Sequence, residues 1–158
     1  VGYRNLDDLK TFFPIDKAAC EVTSNFNVAP SQEILTIFKQ DGENWLDKFH
    51  WGLVPFWAKD ISIGNKMINA RAESVAEKPS FRNAFKKRRC LILADGFYEW
   101  REVNGRKAPC YIRLRDAGVF AFAGLWDRWE GDGNTLESCT IIVMPASAAS
   151  ISTCDPRR

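Results

Sequence analysis

The feature that most constrains this chain is a rhythm of short apolar runs cut by tight-turn residues. Asp41-Gly42, Asp95-Gly96 and Asn104-Gly105 each stand between such runs, and Asp116-Ala-Gly118 and Gly131-Asp-Gly133 repeat the pattern. These residue pairs supply the positive φ angles that tight hairpin turns require. The intervening segments predict strands over 33–39, 45–52, 90–94, 97–101, 111–115, 119–126 and 139–144. Helical signals are fewer. Asn5 is a cap for a short helix with Leu6, Leu9, Phe12 and Phe13 on one face, and Pro14 ends it. Pro79 opens a second helix, whose buried stripe is Phe81 and Phe85. Residues 27–30 read as loop, because Pro30 holds Ala29 extended. Residues 55–64 read as loop with one helical turn. Tight turns between many short strands predict an α+β fold, with a mostly antiparallel, curled, barrel-like sheet and short helices at its margins.

The 158 residues suit one domain. No apolar run approaches the ~18 residues of a membrane span. The longest, 139–149, is interrupted by Pro145 and serines, and no signal peptide opens the chain. Five cysteines, an odd number without CxxC spacing, point to reduced, partly buried thiols rather than disulfides or zinc. His50 is the only histidine, which excludes a histidine cluster. A net charge of +2 says little about partners, but Arg82, Lys86, Lys87, Arg88 and Arg89 crowd into eight positions. A solvated helix face is the ordinary reading of such a run. Six tryptophans would usually fill a core. Phe56-Trp57 and Trp126/Trp129 sit beside charges and turn signals, so exposure of at least one is expected.

Three segments place polar residues among apolar ones: 51–60 (WGLVPFWAKD), 68–73 (INARAE) and 94–100 (ADGFYEW). Asn69 and Glu99 are either hydrogen-bonded core polars or functional groups. Strand alternation puts Glu99 opposite Tyr98 and Trp100, or at a strand end. In apolar surroundings its pKa would rise, which suits acid/base work.

Together with NFNVAP (25–30), KPSFRNAFKKRRCLILADGFYEW (78–100) and TIIV (140–143), these segments follow one order along the chain. In that order they resemble the SOS-response-associated peptidase (SRAP) family, whose members recognise abasic sites in single-stranded DNA. The resemblance implies a β-rich fold with a basic groove, in a cytoplasmic, nucleoid-associated monomer that uses no cofactor or metal. It also implies a reaction. An amino-terminal Cys, freed by autoproteolytic removal of the initiator Met, attacks the ring-opened sugar aldehyde and closes a thiazolidine crosslink. On this chain the resemblance assigns Asn69 to positioning the nucleophile and sugar, and Glu99 to general acid/base catalysis. Arg71 corresponds to a phosphate ligand, and Phe56 with Trp57 to an aromatic wedge at a bend in the strand. Asn27 and Pro30 line the groove, and Arg82, Lys86 and Arg89 are its basic track.

Two departures accompany the match. The family's amino-terminal Cys-Gly-Arg-Phe is not at Val1–Arg4, and the family's Ile-His-x-Arg segment is not found after Val143. The expectation is therefore a single SRAP-like domain over 1–158 lacking both end segments, which binds DNA without crosslinking it. A non-catalytic single-strand-binding module is the alternative. A protease acting on other proteins is a further and weaker one.

Overall fold

The computed structural model describes residues 5–23, 25, 27–103, 105–115, 118–145 and 154–155, with backbone alone for 103 and 154–155. The elements run α1 (Leu6–Phe12), β1 (Lys17–Ala18), β2 (Glu33–Gln40), β3 (Glu43–Trp51), a 3-10 turn (Ile61–Lys66), β4 (Asn69–Arg71), α2 (Arg82–Lys87) and β5 (Arg89–Ala94). Then follow β6 (Phe97–Val103), β7 (Arg106–Ile112), β8 (Phe120–Gly131), β9 (Asn134–Val143) and β10 (Cys154–Asp155). Antiparallel neighbours β3-β2-β5-β8-β9 close into a five-strand barrel where β3 meets β9 in parallel, His50 opposite Ser138 and Trp51 opposite Cys139. β1 adds to β3, and β4 adds to β9, both in parallel. The hairpin of β6 and β7, joined by β10, forms a separate three-stranded sheet.

The predicted curled, mainly antiparallel sheet is thus present. The parallel pairings were not predicted, because they join strands distant in sequence through chain crossovers rather than turns. Two turns behave as their residues demand: Asp41 and Gly42 have φ 51° and 83°, and Asp132 and Gly133 have 52° and 75°.

The period-two alternation sorts side chains into three apolar clusters. Phe38, Phe49, Cys90, Ile92, Cys139 and Ile141 fill the barrel interior, with Trp126 edge-on to Phe38 and tilted against Phe49 at ring distances of 5.1 and 5.4 Å. The opposite faces of β2, β3 and β5 bury Leu35, Ile37, Leu46 and Leu93 with Leu9 of α1. On the outer face of β8 and β9, Leu125 gathers Phe81 and Ala84 with Ala70 of β4.

Some sequence expectations shift. Asn5 caps α1 as expected, its Oδ1 accepting from the Asp8 N–H at 3.0 Å, but Phe12 is exposed rather than on the buried face. Leu9 alone in α1 is fully buried. The second helix starts at Arg82, not Pro79; turns bonded to Ser74 and Lys78 carbonyls precede it. β8 and β9 extend to the Gly131–Asn134 turn, well past the predicted strands, because polar residues such as Asp127 and Ser138 are buried in them with partners. The strand expected over 111–115 is instead β7, displaced towards the hairpin turn at Gly105.

The thiol expectation also needs correction. Among the described residues Cys20, Cys90 and Cys139 are free, but Cys110 is disulfide-bonded. Cysteine count and CxxC spacing report local motifs and carry no mark of a bond that the fold brings together. Burial pushes the Cys139 thiol up to about 12, although the Thr36 hydroxyl bonds its sulfur. Cys90 is raised by burial and then by neighbouring Cys139, and Cys20 by burial and then by Asp47.

Candidate nucleic-acid interface

β4 is only three residues long, but its register with β9 decides where its side chains face. Asn69 pairs with Ile141, Ala70 with Ile142 and Arg71 with Val143. Ala70 is buried in the outer cluster with Leu125 and Ile142. Asn69 and Arg71 share the other face with Ile141 and Val143, on the barrel-interior side, and both are exposed. The strand is held there by Ile68, whose carbonyl accepts from the Trp51 indole at 3.0 Å and from the Ile141 N–H at 3.1 Å.

β6 starts beside the same end of the barrel. The Phe97 ring packs edge-on against Phe122 at 5.5 Å, and Phe122 belongs to the interior cluster that includes Val143. Residues two apart in a strand share a face, so Glu99 lies on the Phe97 face. Tyr98 and Trp100 lie on the other, where Tyr98 stacks on its register partner Tyr111 at 5.1 Å. The alternation placed Glu99 correctly relative to the two rings. The enclosure expected for it is not formed by the described residues: Glu99, Tyr98 and Trp100 are all exposed, because the small sheet projects from the barrel.

Asn27 and Pro30 precede β2 and are exposed. Pro30 sits in a turn closed by the Gln32 N–H on the Ala29 carbonyl, with Ser31 at φ 71°. Ser31 and Trp51 are joined by backbone bonds of 2.8 Å (Ser31 N to Trp51 O) and, through Gln32, 2.9 Å (Trp51 N to Gln32 O). That loop therefore adjoins the start of 51–60.

The segment after β3 runs back over the outer face of β8 and β9. It leaves the barrel at Gly52, whose φ of +142° and 2.6 Å approach of a notional Cβ to the Gly64 carbonyl exclude any side chain. Alternate residues are then clasped. The Val54 N–H donates to Ser138 Oγ at 2.8 Å, the Phe56 N–H to Asp127 Oδ2 at 3.0 Å, and the Trp129 indole to the Ala58 carbonyl at 2.7 Å. Phe56 and Trp57 nevertheless stand 53% and 48% exposed. Two large rings held out on a fastened backbone are an unusual expenditure of apolar surface. Trp129 is buried and Trp126 half-buried, so the exposed pair among the candidates is Phe56-Trp57.

Arg82 and Lys86 are exposed on α2, and Arg89 is exposed at the start of β5. α2 packs through Ala84 into the outer cluster with Leu125 and Ala70, and Arg89 pairs in register with Leu125. Arg88 departs from the solvated-face reading. It pairs with the buried Asp127 carboxylate, and its guanidinium lies 5.2 Å from the Trp126 ring centre. Sequence reasoning missed Asp127, Ser138 and Trp129. An aspartate between two tryptophans in a strand was the available signal.

Among the described residues no group of three or more His, Cys, Asp or Glu could hold a metal, and no helix is long and apolar enough to cross a membrane. The two buried thiols, both raised in pKa, are poor sources of a thiolate nucleophile at neutral pH.

The chain belongs to the SOS response associated peptidase (SRAP) family, whose model matches residues 3–156. It is 49% identical over 144 residues to abasic site processing protein YoqW of Bacillus subtilis, covering 89% of this chain and 64% of that protein. It is 48% identical over 149 residues to abasic site processing protein YobE of the same organism, covering 92% and 68%. The chain thus spans about two thirds of the length of these relatives. In fold it is similar to a crystal structure of a protein from Bordetella bronchiseptica, with a TM-score of 0.78 at 24% identity over 94% of this chain and 72% of that one.

Proposed function

We propose that this chain recognises abasic sites in single-stranded DNA and supplies the groups that process them in the DNA-damage response. The observation that carries the reading is the convergence at one barrel lip. Asn69 and Arg71 on β4 pair with Ile141 and Val143, and Phe97, which shares Glu99's face of β6, packs on Phe122 of the same cluster; this neighbourhood supports grouping the three polar residues. The names of YoqW and YobE support the substrate.

In this reading the strand's phosphates contact Arg71 on β4, Arg82 and Lys86 on α2 and Arg89 at the start of β5, with Asn27 and Pro30 at the border. Phe56 and Trp57 stack against bases and hold the strand bent, which is how sequence-tolerant single-strand binding is built. Glu99, as general acid and base, takes the proton of the anomeric hydroxyl and delivers one to the ring oxygen as the abasic deoxyribose opens to its aldehyde, and Asn69 orients that aldehyde. An amino-terminal 1,2-aminothiol then completes the reaction. Its amine condenses with the aldehyde, releasing water, and its sulfur adds to the imine carbon while the nitrogen takes the proton. The product is a thiazolidine that ties protein to DNA.

Trp57→Ala tests the wedge. Loss of one stacked base should weaken binding to an abasic single-stranded oligonucleotide by about 1–3 kcal/mol. Stability should change by no more than about 0.5 kcal/mol, as for other exposed positions. Fluorescence anisotropy and thermal melting read the two quantities. A large fall in melting temperature, or unchanged affinity, would refute the assignment.

A further inference from the structure

We propose that Asp127 is the positioning residue of the DNA site. It holds the Phe56-Trp57 segment in its strand-bending stance and couples that segment to the basic helix α2. The proposal rests on the single-stranded DNA reading above.

The geometry is specific. Asp127 is 2% exposed, on the outer face of β8 opposite Ser138. A carboxylate so buried requires its charge and lone pairs to be satisfied. One oxygen accepts from the Phe56 N–H at 3.0 Å; the other accepts from Arg88 Nη1 and, at 2.9 Å, from the Arg128 N–H. Arg88 immediately follows α2, which carries Arg82 and Lys86, so one buried carboxylate joins the exposed rings to the cationic helix. The next residue on the same face, Trp129, repeats the device by donating to the Ala58 carbonyl. Phe56 and Trp57 therefore lie within a stretch gripped at 56 and 58. Rings held in a binding-ready stance lose less freedom on engagement, and such preorganisation appears as affinity.

This argument sets Asp127 apart from a purely structural residue, because its contribution to binding must pass through the rings. Asp127→Asn keeps size and one acceptor but removes the charge that holds Arg88. The expected result is about a tenfold loss of affinity for abasic single-stranded DNA, the scale of a charged hydrogen bond. In a Trp57→Ala background the same change should cost less than about twofold, since the ring that Asp127 positions is already gone. If Asp127→Asn does not fold, judged by circular dichroism and melting, Trp129→Phe removes the neighbouring indole donor while keeping a ring, and should show the same coupling to Trp57. Full additivity with Trp57→Ala, or unchanged affinity in a folded variant, would overturn the proposal. The unsubstituted chain failing to bind the oligonucleotide at all would instead overturn the DNA reading on which it rests.

Discussion

In a chain carrying Cys-Gly-Arg-Phe ahead of Val1, Glu99→Gln should slow crosslinking to abasic DNA by about 10²- to 10⁴-fold, the usual contribution of a general acid or base. Glutamine keeps the shape of the side chain but cannot transfer the proton that ring opening needs. Glu99 is exposed and makes no core contact that the substitution would break, so melting and DNA affinity should stay near those of the parent. The check is the rate at which a slowly migrating band forms on a denaturing gel, with anisotropy run in parallel. An unchanged rate would remove Glu99 from the chemistry, and lost binding would recast it as a binding residue.

The second large effect concerns the cations. Replacing Arg71, Arg82, Lys86 and Arg89 with glutamine should lower affinity for single-stranded DNA by roughly 10²- to 10³-fold near 0.1 M salt. All four side chains are exposed and outside the ion pairs formed among the described residues. Each phosphate contact on a single strand contributes about 0.7 to the slope of log affinity against log salt. Four lost contacts should therefore flatten the slope by about 2.8, by that same rule. Arg88→Gln should behave differently, costing stability, because it strands the buried Asp127 carboxylate. If the quadruple variant binds with an unaltered slope, the phosphate track lies elsewhere.

Much of this was legible in the sequence because it depends on local pattern. Asp41-Gly42 and Gly131-Asp-Gly133 announce their hairpins through backbone preference alone, and alternation along 97–101 places Glu99 on the face away from Tyr98 and Trp100. The segments around Asn69, Trp57 and Glu99 carried the family resemblance. What stayed hidden depends on pairings between distant residues. Closure of β3 on β9 and the seating of β4 are parallel contacts with no turn to announce them. The clasp of Ser138, Asp127 and Trp129 on Val54, Phe56 and Ala58 spans 71 to 84 residues of sequence. Arg88 shows the cost of reading charge by crowding alone: of the five cations in its cluster, it is the one turned to a buried partner.

The most direct measurement of the central claim is heat-stable adduct formation with abasic single-stranded DNA, comparing two polypeptides on a denaturing gel. One begins at Val1; the other carries Cys-Gly-Arg-Phe before it, with its initiator Met removed. Val1 can offer an amine but no thiol to trap the imine, which then hydrolyses. The account predicts that both bind the oligonucleotide and that only the Cys-led chain yields a band surviving heat and denaturant. A stable band from the chain beginning at Val1, or none from the Cys-led chain, would contradict it.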